Sequence, residues 1–142
     1  MTIVVDVANV MGSRPDGWWR DRAGAAVRLH AQVVRLAASG RAIPPEDTST
    51  PEDTSTPDEA ERPGFVMVLE GAANAAVARM APSGAVRVVQ ARGSGDDAIV
   101  AVVRELPGRR VVVTADRELR ARCVAAGAEI LGPGWLLGLL RD

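Results

Sequence analysis

Short runs of valine and other β-branched residues alternate with longer helical patterns along almost the whole chain. The runs are nearly continuous in apolar character, which is typical of strands buried on both faces. We therefore predict a doubly wound α/β fold: a mostly parallel five-stranded sheet with right-handed crossovers and helices on both faces. The pattern does not specify the strand order. The predicted strands are residues 2–7, 65–69, 86–91, 110–114 and 128–131, and the predicted helices are 17–38, 73–80, 96–106, 116–126 and 135–140.

Length and composition fit one soluble domain spanning residues 1–142. The chain is 47% apolar and 25% charged, and no apolar run approaches the ~20 residues of a membrane span. Cys123 and His30 are the single cysteine and histidine, so neither a disulfide nor a structural zinc site is expected. We expect both side chains to be core residues. With no signal peptide at the N-terminus, the expected location is the cytoplasm.

The basic residues and one insert refine this picture. There are 17 arginines and no lysine, which excludes Walker A ATPases and lysine-based nucleophiles. Residues 44–63 contain Pro-Glu-Asp-Thr-Ser-Thr twice, at 45–50 and 51–56, and this low-complexity insert is predicted to be a mobile acidic loop. It carries a net charge of −6 against −1 for the whole chain, which leaves +5 for the folded remainder. A basic body suits a polyanionic partner such as RNA, although scattered surface arginines would give the same charge.

Acidic side chains follow each of the first four predicted strands. Asp6 lies inside the first apolar run, where a buried carboxylate costs several kcal/mol unless its charge is compensated. In a parallel sheet these strand ends share one edge, which is where a doubly wound fold binds its ligand. The acids are Asp6, Glu70, Asp96, Asp97 and Asp116.

Carboxylates brought together at one edge require a compensating positive charge. Two of them about 4 Å apart repel by roughly 4 kcal/mol at an effective dielectric constant near 20. Arginine, shared protons or a divalent metal would relieve this repulsion. Oxygen ligands without histidine or thiolate suit Mg²⁺ or Mn²⁺, so one of these ions is the expected cofactor.

Each acid also has an ordinary structural explanation. Ser94 and Asp97 have the spacing of a capping box. Asp116 fits the N-cap of the helix that follows it, and Asp6 or Asn9 fits a turn after the first strand. Capping alone does not explain why all the acids fall at one end of the sheet, and this favours the metal site.

Three short motifs resemble the NYN and PIN-like ribonuclease superfamily, especially its small bacterial YacP-like members. The resemblance implies a PIN-like fold and a metal-dependent ribonuclease that cleaves RNA phosphodiesters. Where the family commonly has Asp-Gly-x-Asn, this chain has valine at the second position, and the insert is not part of the family pattern. The motifs are Asp6-x-x-Asn9, Ser94 to Asp97 followed by x-Ile99, and Thr114-x-Asp116-Arg117-x-Leu119.

Roles for individual residues follow from the acidic cluster and this resemblance. Asp6, Asp96 and Asp116 are the predicted catalytic metal ligands, with Asp97 and Glu70 as further candidates. The residues expected to orient these acids are Asn9, Thr114 and Ser94.

Candidate RNA contacts are Arg14, Arg92 and Arg117 for phosphates, and Trp18 or Trp19 for stacking on an unpaired base. The ordinary alternatives are solvated arginines and a tryptophan pair divided between core and surface.

Rival functions remain open on sequence alone. A catalytically weak module of the same fold that binds RNA or a protein is the main alternative. A dinucleotide site is a lesser one, because residues 93–98 match G-x-G-x-x-A, but two aspartates there would repel a pyrophosphate. The apolar segment 135–140 is expected to pack on the sheet as a helix or to form a homodimer contact.

Overall fold

The computed structural model describes residues 1–45 and 62–141. In these ranges five strands alternate with five α-helices, and two 3-10 helices span Trp18–Arg20 and Gly71–Arg79. The strands are β1 Thr2–Asp6, β2 Gly64–Leu69, β3 Val86–Gln90, β4 Arg110–Val113 and β5 Glu129–Leu131, and the α-helices are α1 Val7–Gly12, α2 Arg22–Ser39, α3 Gly95–Glu105, α4 Arg117–Ala125 and α5 Pro133–Leu140.

The strands form one five-stranded sheet in the order β3-β2-β1-β4-β5, and every pairing is parallel. This confirms the predicted α/β class and supplies the order that the sequence pattern left open. β1 lies at the centre, paired with β2 on one side and β4 on the other. The chain moves outward through β2 and β3, then crosses back over β1 to β4, so the direction of winding reverses between β1 and β4.

Alternating side chains of the strands build one core on each face of the sheet. Ile3 and Val5 of β1 pack with residues of α1, α2 and α5. Val4 faces the other way and packs with residues of α3 and α4, including Leu119 and Cys123. The predicted helices on both faces are therefore present, and both faces of β1 are covered.

Most predicted elements differ from the structure by a residue or two at their ends, and three of them differ in a way that has a structural explanation. Val7 was assigned to the first strand but begins α1, because the Asp6 side chain accepts from the Asn9 N–H and caps a new helix. The predicted helix 17–38 divides, since Asp21 caps α2 through the Gly24 N–H. The predicted helix 73–80 is a 3-10 helix.

The end residues of the insert predicted at 44–63 pack against the rest of the protein, which its composition did not indicate. Pro44 and Pro63 are buried. The Arg109 guanidinium donates to the Pro45 carbonyl at 2.5 Å, and Arg62 donates to the Ala38 carbonyl at 3.1 Å. These terminal residues therefore belong to the packed body. Residues 46–61, which contain all of the repeat except Pro45, lie outside the described residues.

His30 and Cys123 are both buried, as their sequence surroundings predicted. Desolvation lowers the pKa of His30 and raises the pKa of Cys123. Burial therefore disfavours the charged form of both side chains. Within the described ranges, no helix combines the length and the hydropathy needed to cross a bilayer.

Candidate active site

The direction of winding reverses between β1 and β4, which makes the carboxyl ends of these strands the topological switch point of the sheet. Doubly wound sheets bind their ligands at such a switch point, because the loops from the two strands diverge there. Asp6 is the last residue of β1, and Asp116 follows β4 by three residues. Two of the three predicted catalytic acids therefore flank this switch point.

Asp6 is a buried carboxylate, only 8% exposed, and it forms no salt bridge within the described residues. Its Oδ2 accepts from the Thr114 hydroxyl at 2.9 Å, and its Oδ1 accepts from the Asn9 N–H at 3.3 Å. Burial raises the pKa of Asp6, the two hydrogen bonds oppose that rise, and the negative charges of Asp96 and Glu70 add to it. The ionised carboxylate is held in place but its charge is not neutralised.

Two polar links tie the end of β1 to the end of β4. Thr114, which is fully buried, donates to Asp6, and its Oγ1 accepts from the Asp116 N–H at 3.2 Å. The Asn9 Oδ1 accepts from the Ala115 N–H at 2.8 Å. The Thr114 hydroxyl thus contacts one of the acids it was predicted to orient, whereas the Asn9 side chain contacts the Ala115 backbone and only the Asn9 N–H reaches Asp6. The two links join residues more than 100 positions apart in the chain.

Asp96 and Glu70 bring acidic side chains from α3 and from the end of β2. Asp96 is partly buried and makes no hydrogen bond or salt bridge with the described part of the chain. Desolvation raises the pKa of Asp96, the charges of Asp116 and Glu70 raise it further, and the charge of Arg122 opposes the rise. The Glu70 Oε2 accepts from the Gly95 N–H at 2.7 Å. A Cβ at position 95 would lie 2.6 Å from that oxygen, so glycine permits this close approach.

Helix capping explains part of the acidic pattern, as the structural alternative predicted. The Asp116 Oδ1 accepts from the Leu119 N–H at 2.9 Å and caps α4. Ser94 caps α3 through the Asp97 N–H at 3.5 Å. These two caps fix the strand-to-helix turns that carry Asp96 and Asp116.

Asp97 is in a different situation from the other acids. Its carboxylate does not complete a capping box but pairs with Arg122 of α4 at 2.8 Å. It is exposed and has an arginine of its own. We therefore leave Asp97 out of the central set, which is Asp6, Asp96, Asp116 and Glu70.

The central acids interact electrostatically, but their oxygens are not assembled around one point. Within residues 1–45 and 62–141, no three histidine, cysteine, aspartate or glutamate side chains are grouped closely enough to hold a metal ion directly. The Asp96 side chain can rotate without breaking a hydrogen bond or salt bridge to a described residue, and its backbone belongs to α3. Of the four central acids, Asp96 is therefore the side chain that contacts with described residues constrain least.

The predicted RNA contacts do not all lie at this site. Arg117 is exposed directly after Asp116, and Arg92 is exposed beyond β3. Arg14 lies instead beyond the end of α1, beside residues of α2 and α5. The tryptophan pair is divided as the alternative predicted, with Trp18 packed against the core and Trp19 55% exposed.

A hollow of about 260 Å³ adjoins the acidic set. Glu70 and Trp18 both line it, and Gly71 and Gly93 form parts of its wall that carry no side chain. Arg22 also lines it, with its guanidinium carbon 5.4 Å from the centre of the Trp18 ring. Trp18 therefore presents part of its indole to a space next to Glu70, which suits a planar group.

Sequence reasoning missed two arginines that contribute to the site. Arg120 donates through Nε to the Thr114 carbonyl at 2.8 Å, and Arg22 lines the hollow beside Trp18. Arg120 stands four residues after Asp116, the N-cap of α4, and this spacing could have indicated that it lies near the end of β4. For Arg22 the sequence carried no comparable signal.

The buried charge of Asp6 predicts a pH-dependent gain in stability for Asp6→Asn in the absence of divalent ions. The folded pKa of Asp6 is raised, so the folded wild type binds protons more tightly than the unfolded chain and loses stability as the pH rises. The asparagine variant lacks this loss. Its free energy of unfolding relative to wild type should therefore increase as the pH rises from about 4.

Urea unfolding of both proteins in EDTA across this pH range measures the difference. A difference that stays constant with pH would show that Asp6 titrates as it does in the unfolded chain.

Comparison with solved structures shows what the fold is similar to. The chain is similar to the crystal structure of Rae1 (YacP) from Bacillus subtilis, W164L mutant, with a TM-score of 0.68. The similarity covers 99% of this chain and 76% of that chain at 15% sequence identity. It shows a YacP-like fold. No model of a protein family matches the chain, and no curated protein matches it by sequence.

Proposed function

We propose that this chain is a divalent-metal-dependent ribonuclease centred on Asp6, Asp96, Asp116 and Glu70. The observation that carries the proposal is the state of Asp6. It is buried at the switch point, fixed by Thr114 and Asn9, and surrounded by further negative charge rather than by a cation. A buried negative charge of this kind destabilises the folded state, and its presence is explained if Asp6 binds a cation.

Three further observations support a nuclease rather than another metal-dependent activity. The three sequence motifs resemble the NYN and PIN-like ribonucleases, in particular YacP-like members. The fold resembles that of YacP over 99% of this chain. Outside residues 44–63 the protein also carries a net charge of +5, which favours a polyanionic substrate.

The donor set fits a hard cation. All four central side chains offer carboxylate oxygens, the ligands that Mg²⁺ and Mn²⁺ prefer, and Mg²⁺ characteristically keeps several of its waters. One oxygen of Asp116 and one of Glu70 bond to the backbone, which leaves the second oxygen of each free of described partners. When bound, such an ion lowers the pKa of a coordinated water and offsets charge on the phosphate.

The chain's own residues have separate roles in this proposal. Asp6 is the fixed point, because both of its oxygens are oriented from β4 and α1. Asp96 is the adjustable ligand, since the described residues hold it by no bond. Thr114 and Asn9 are positioning residues that keep the ends of β1 and β4 in register.

RNA would approach across the exposed carboxyl edge of the sheet. Arg117 and Arg92 are exposed at that edge and are proposed to contact phosphates. The hollow beside Trp18 is proposed to receive an unpaired base, for which the indole offers an aromatic surface. Together these features favour RNA with unpaired nucleotides near the cleaved bond.

Divalent ions are expected to raise the melting temperature of the wild type but not of Asp6→Asn. Binding to the folded state alone stabilises it by about 2.7 kcal/mol when the ion is present at about 100 times its Kd. Thermal unfolding with Mn²⁺ or with EDTA measures this effect. Incubation with a structured RNA under the same two conditions should show cleavage only with the ion.

The matched control is Glu105→Gln, which removes one exposed carboxylate at the end of α3 and should respond to Mn²⁺ as the wild type does. If neither wild type nor Asp6→Asn responds to the ion while RNA still binds, the protein is the RNA-binding module of the alternative proposal. Cleavage that persists in EDTA would also refute the metal-dependent mechanism.

A further inference from the structure

A second cavity, of about 550 Å³, lies between α2, α5 and the segment that follows α1. None of the four central acids lines it. Its volume is within the range of roughly 300–1,000 Å³ typical of small-molecule sites. The residues that define its chemistry are Arg14, Asp16, Gln32, Leu137, Leu140 and Arg141.

Arg14 gives the cavity a positive charge that Asp16 offsets only in part. The side chain is partly buried and forms no hydrogen bond or salt bridge with residues 1–45 or 62–141. Burial lowers the pKa of Arg14, Arg28 lowers it further, and only Asp16 opposes them. Arg141 adds a second guanidinium to the lining. A partly desolvated guanidinium without a partner favours an anion, above all a phosphate or carboxylate that it can bind through two nitrogens.

The side chain of Gln32 also brings polar atoms to the lining that bond to no described residue. Its side-chain oxygen is buried and accepts no hydrogen bond from the described residues. Its amide nitrogen has two donors that no described residue accepts. The hydroxyl of Ser13, by contrast, already donates to the Asn9 carbonyl at 2.9 Å. The donors of the lining, on Arg14, Arg141 and the Gln32 amide nitrogen, complement an anion, whereas the Gln32 oxygen and Asp16 are acceptors that suit the hydroxyl or amino groups of an organic ligand.

The other wall of the cavity is apolar. Leu137 and Leu140 of α5 line it together with Pro15. A bare inorganic ion would leave most of this surface and volume unfilled, whereas an anion attached to a ring system would cover both. The ligand therefore combines a compact negative group with a larger organic part.

We propose that this cavity binds a phosphate monoester whose organic part is a nucleoside. The phosphate pairs with Arg14 and Arg141, and the nucleoside packs against Leu137 and Leu140. The choice of a nucleoside rests on the proposed action on RNA, whereas the phosphate site depends only on this lining. Two sources carry the same group, a free nucleoside monophosphate and the 5′-phosphorylated end of an RNA strand.

Isothermal titration calorimetry in EDTA tests the site without involving the metal. AMP should bind the wild type, and adenosine should not. Arg14→Gln should weaken AMP binding by about tenfold or more, as expected for a lost charge-assisted contact. Arg141→Gln, beyond the end of α5, should weaken it without affecting folding. Arg104→Gln removes an exposed arginine from α3 on the other face of the sheet and should change nothing.

Competition identifies the source of the phosphate. A short single-stranded RNA with a 5′-phosphate should displace AMP, and the same strand with a 5′-hydroxyl should not, if RNA ends are the ligand. If neither strand competes, the site takes free nucleotides.

Absence of AMP binding, or an equal loss in Arg104→Gln and Arg14→Gln, would overturn the site. Asp6→Asn should retain AMP binding in full, so failure of the proposed nuclease activity would be seen separately.

Discussion

Asp6→Asn is expected to abolish RNA cleavage while leaving the protein folded. Replacing a residue that only orients a metal ligand typically costs about 10–100-fold, so removing the charge of the central ligand should cost more than about a hundredfold. Asparagine has the same shape and retains hydrogen-bonding groups for Thr114 and the Asn9 N–H. The loss should therefore appear in the rate of cleavage at saturating Mn²⁺ and not in the circular dichroism spectrum.

Glu105→Gln is again the matched control, because it removes one negative charge from an exposed position on α3. Its cleavage rate should equal that of the wild type. Asp116→Asn should be almost as inactive as Asp6→Asn. If Asp116→Asn cleaves RNA at the normal rate, the switch point between β1 and β4 is not the catalytic site.

Thr114→Val is expected to impair both stability and cleavage. Valine keeps the shape of the side chain but removes the hydroxyl that donates to Asp6 and accepts from the Asp116 N–H. Removing a partner from a buried polar group costs about 1–3 kcal/mol, with more expected for a charged one. Urea unfolding should show a loss of at least this size. Cleavage should fall by about 10–100-fold, because Asp6 loses its link to β4.

Thr114→Ser separates the effect of the hydroxyl from that of packing. Serine retains the donor and the acceptor and loses only a methyl group. Its cleavage rate should stay near that of wild type, while its stability falls modestly from the lost buried methyl. Equal activity of the valine and serine variants would show that the hydroxyl does not position Asp6.

The central acids are placed by the order of the strands. β1 lies between β2 and β4, so Asp6 meets groups from both neighbours: Glu70 after β2, and Thr114 after β4. The alternative order with β1 at an edge would bury the same valines but separate these side chains. The same arrangement puts Arg14 beyond α1, beside α2 and α5, and so directs it to the second cavity.

The alternation of valine runs with helical patterns predicted which segments of the chain form buried strands and which form helices. Continuous valine runs predicted strands covered on both faces, and all five strands were found within two residues of their predicted limits. An aspartate within such a run identified Asp6, because an uncompensated charge there is costly. Boundaries were wrong where a side chain caps a helix, at Asp6 for α1 and at Asp21 for α2. The preceding residues gave no periodicity that would reveal these caps.

The order of residues along the chain determined the alternation of strands and helices. It also determined that acidic residues follow the strands, at the carboxyl edge of the sheet. The tertiary structure alone decided that Thr114 reaches Asp6, that Asp97 pairs with Arg122, and that Arg14 faces a cavity of its own. The physical reason is that local periodicity reports whether a side chain is buried and not which neighbour it contacts. Parallel strands join across crossovers of a dozen or more residues, and several strand orders bury the same apolar surface equally well.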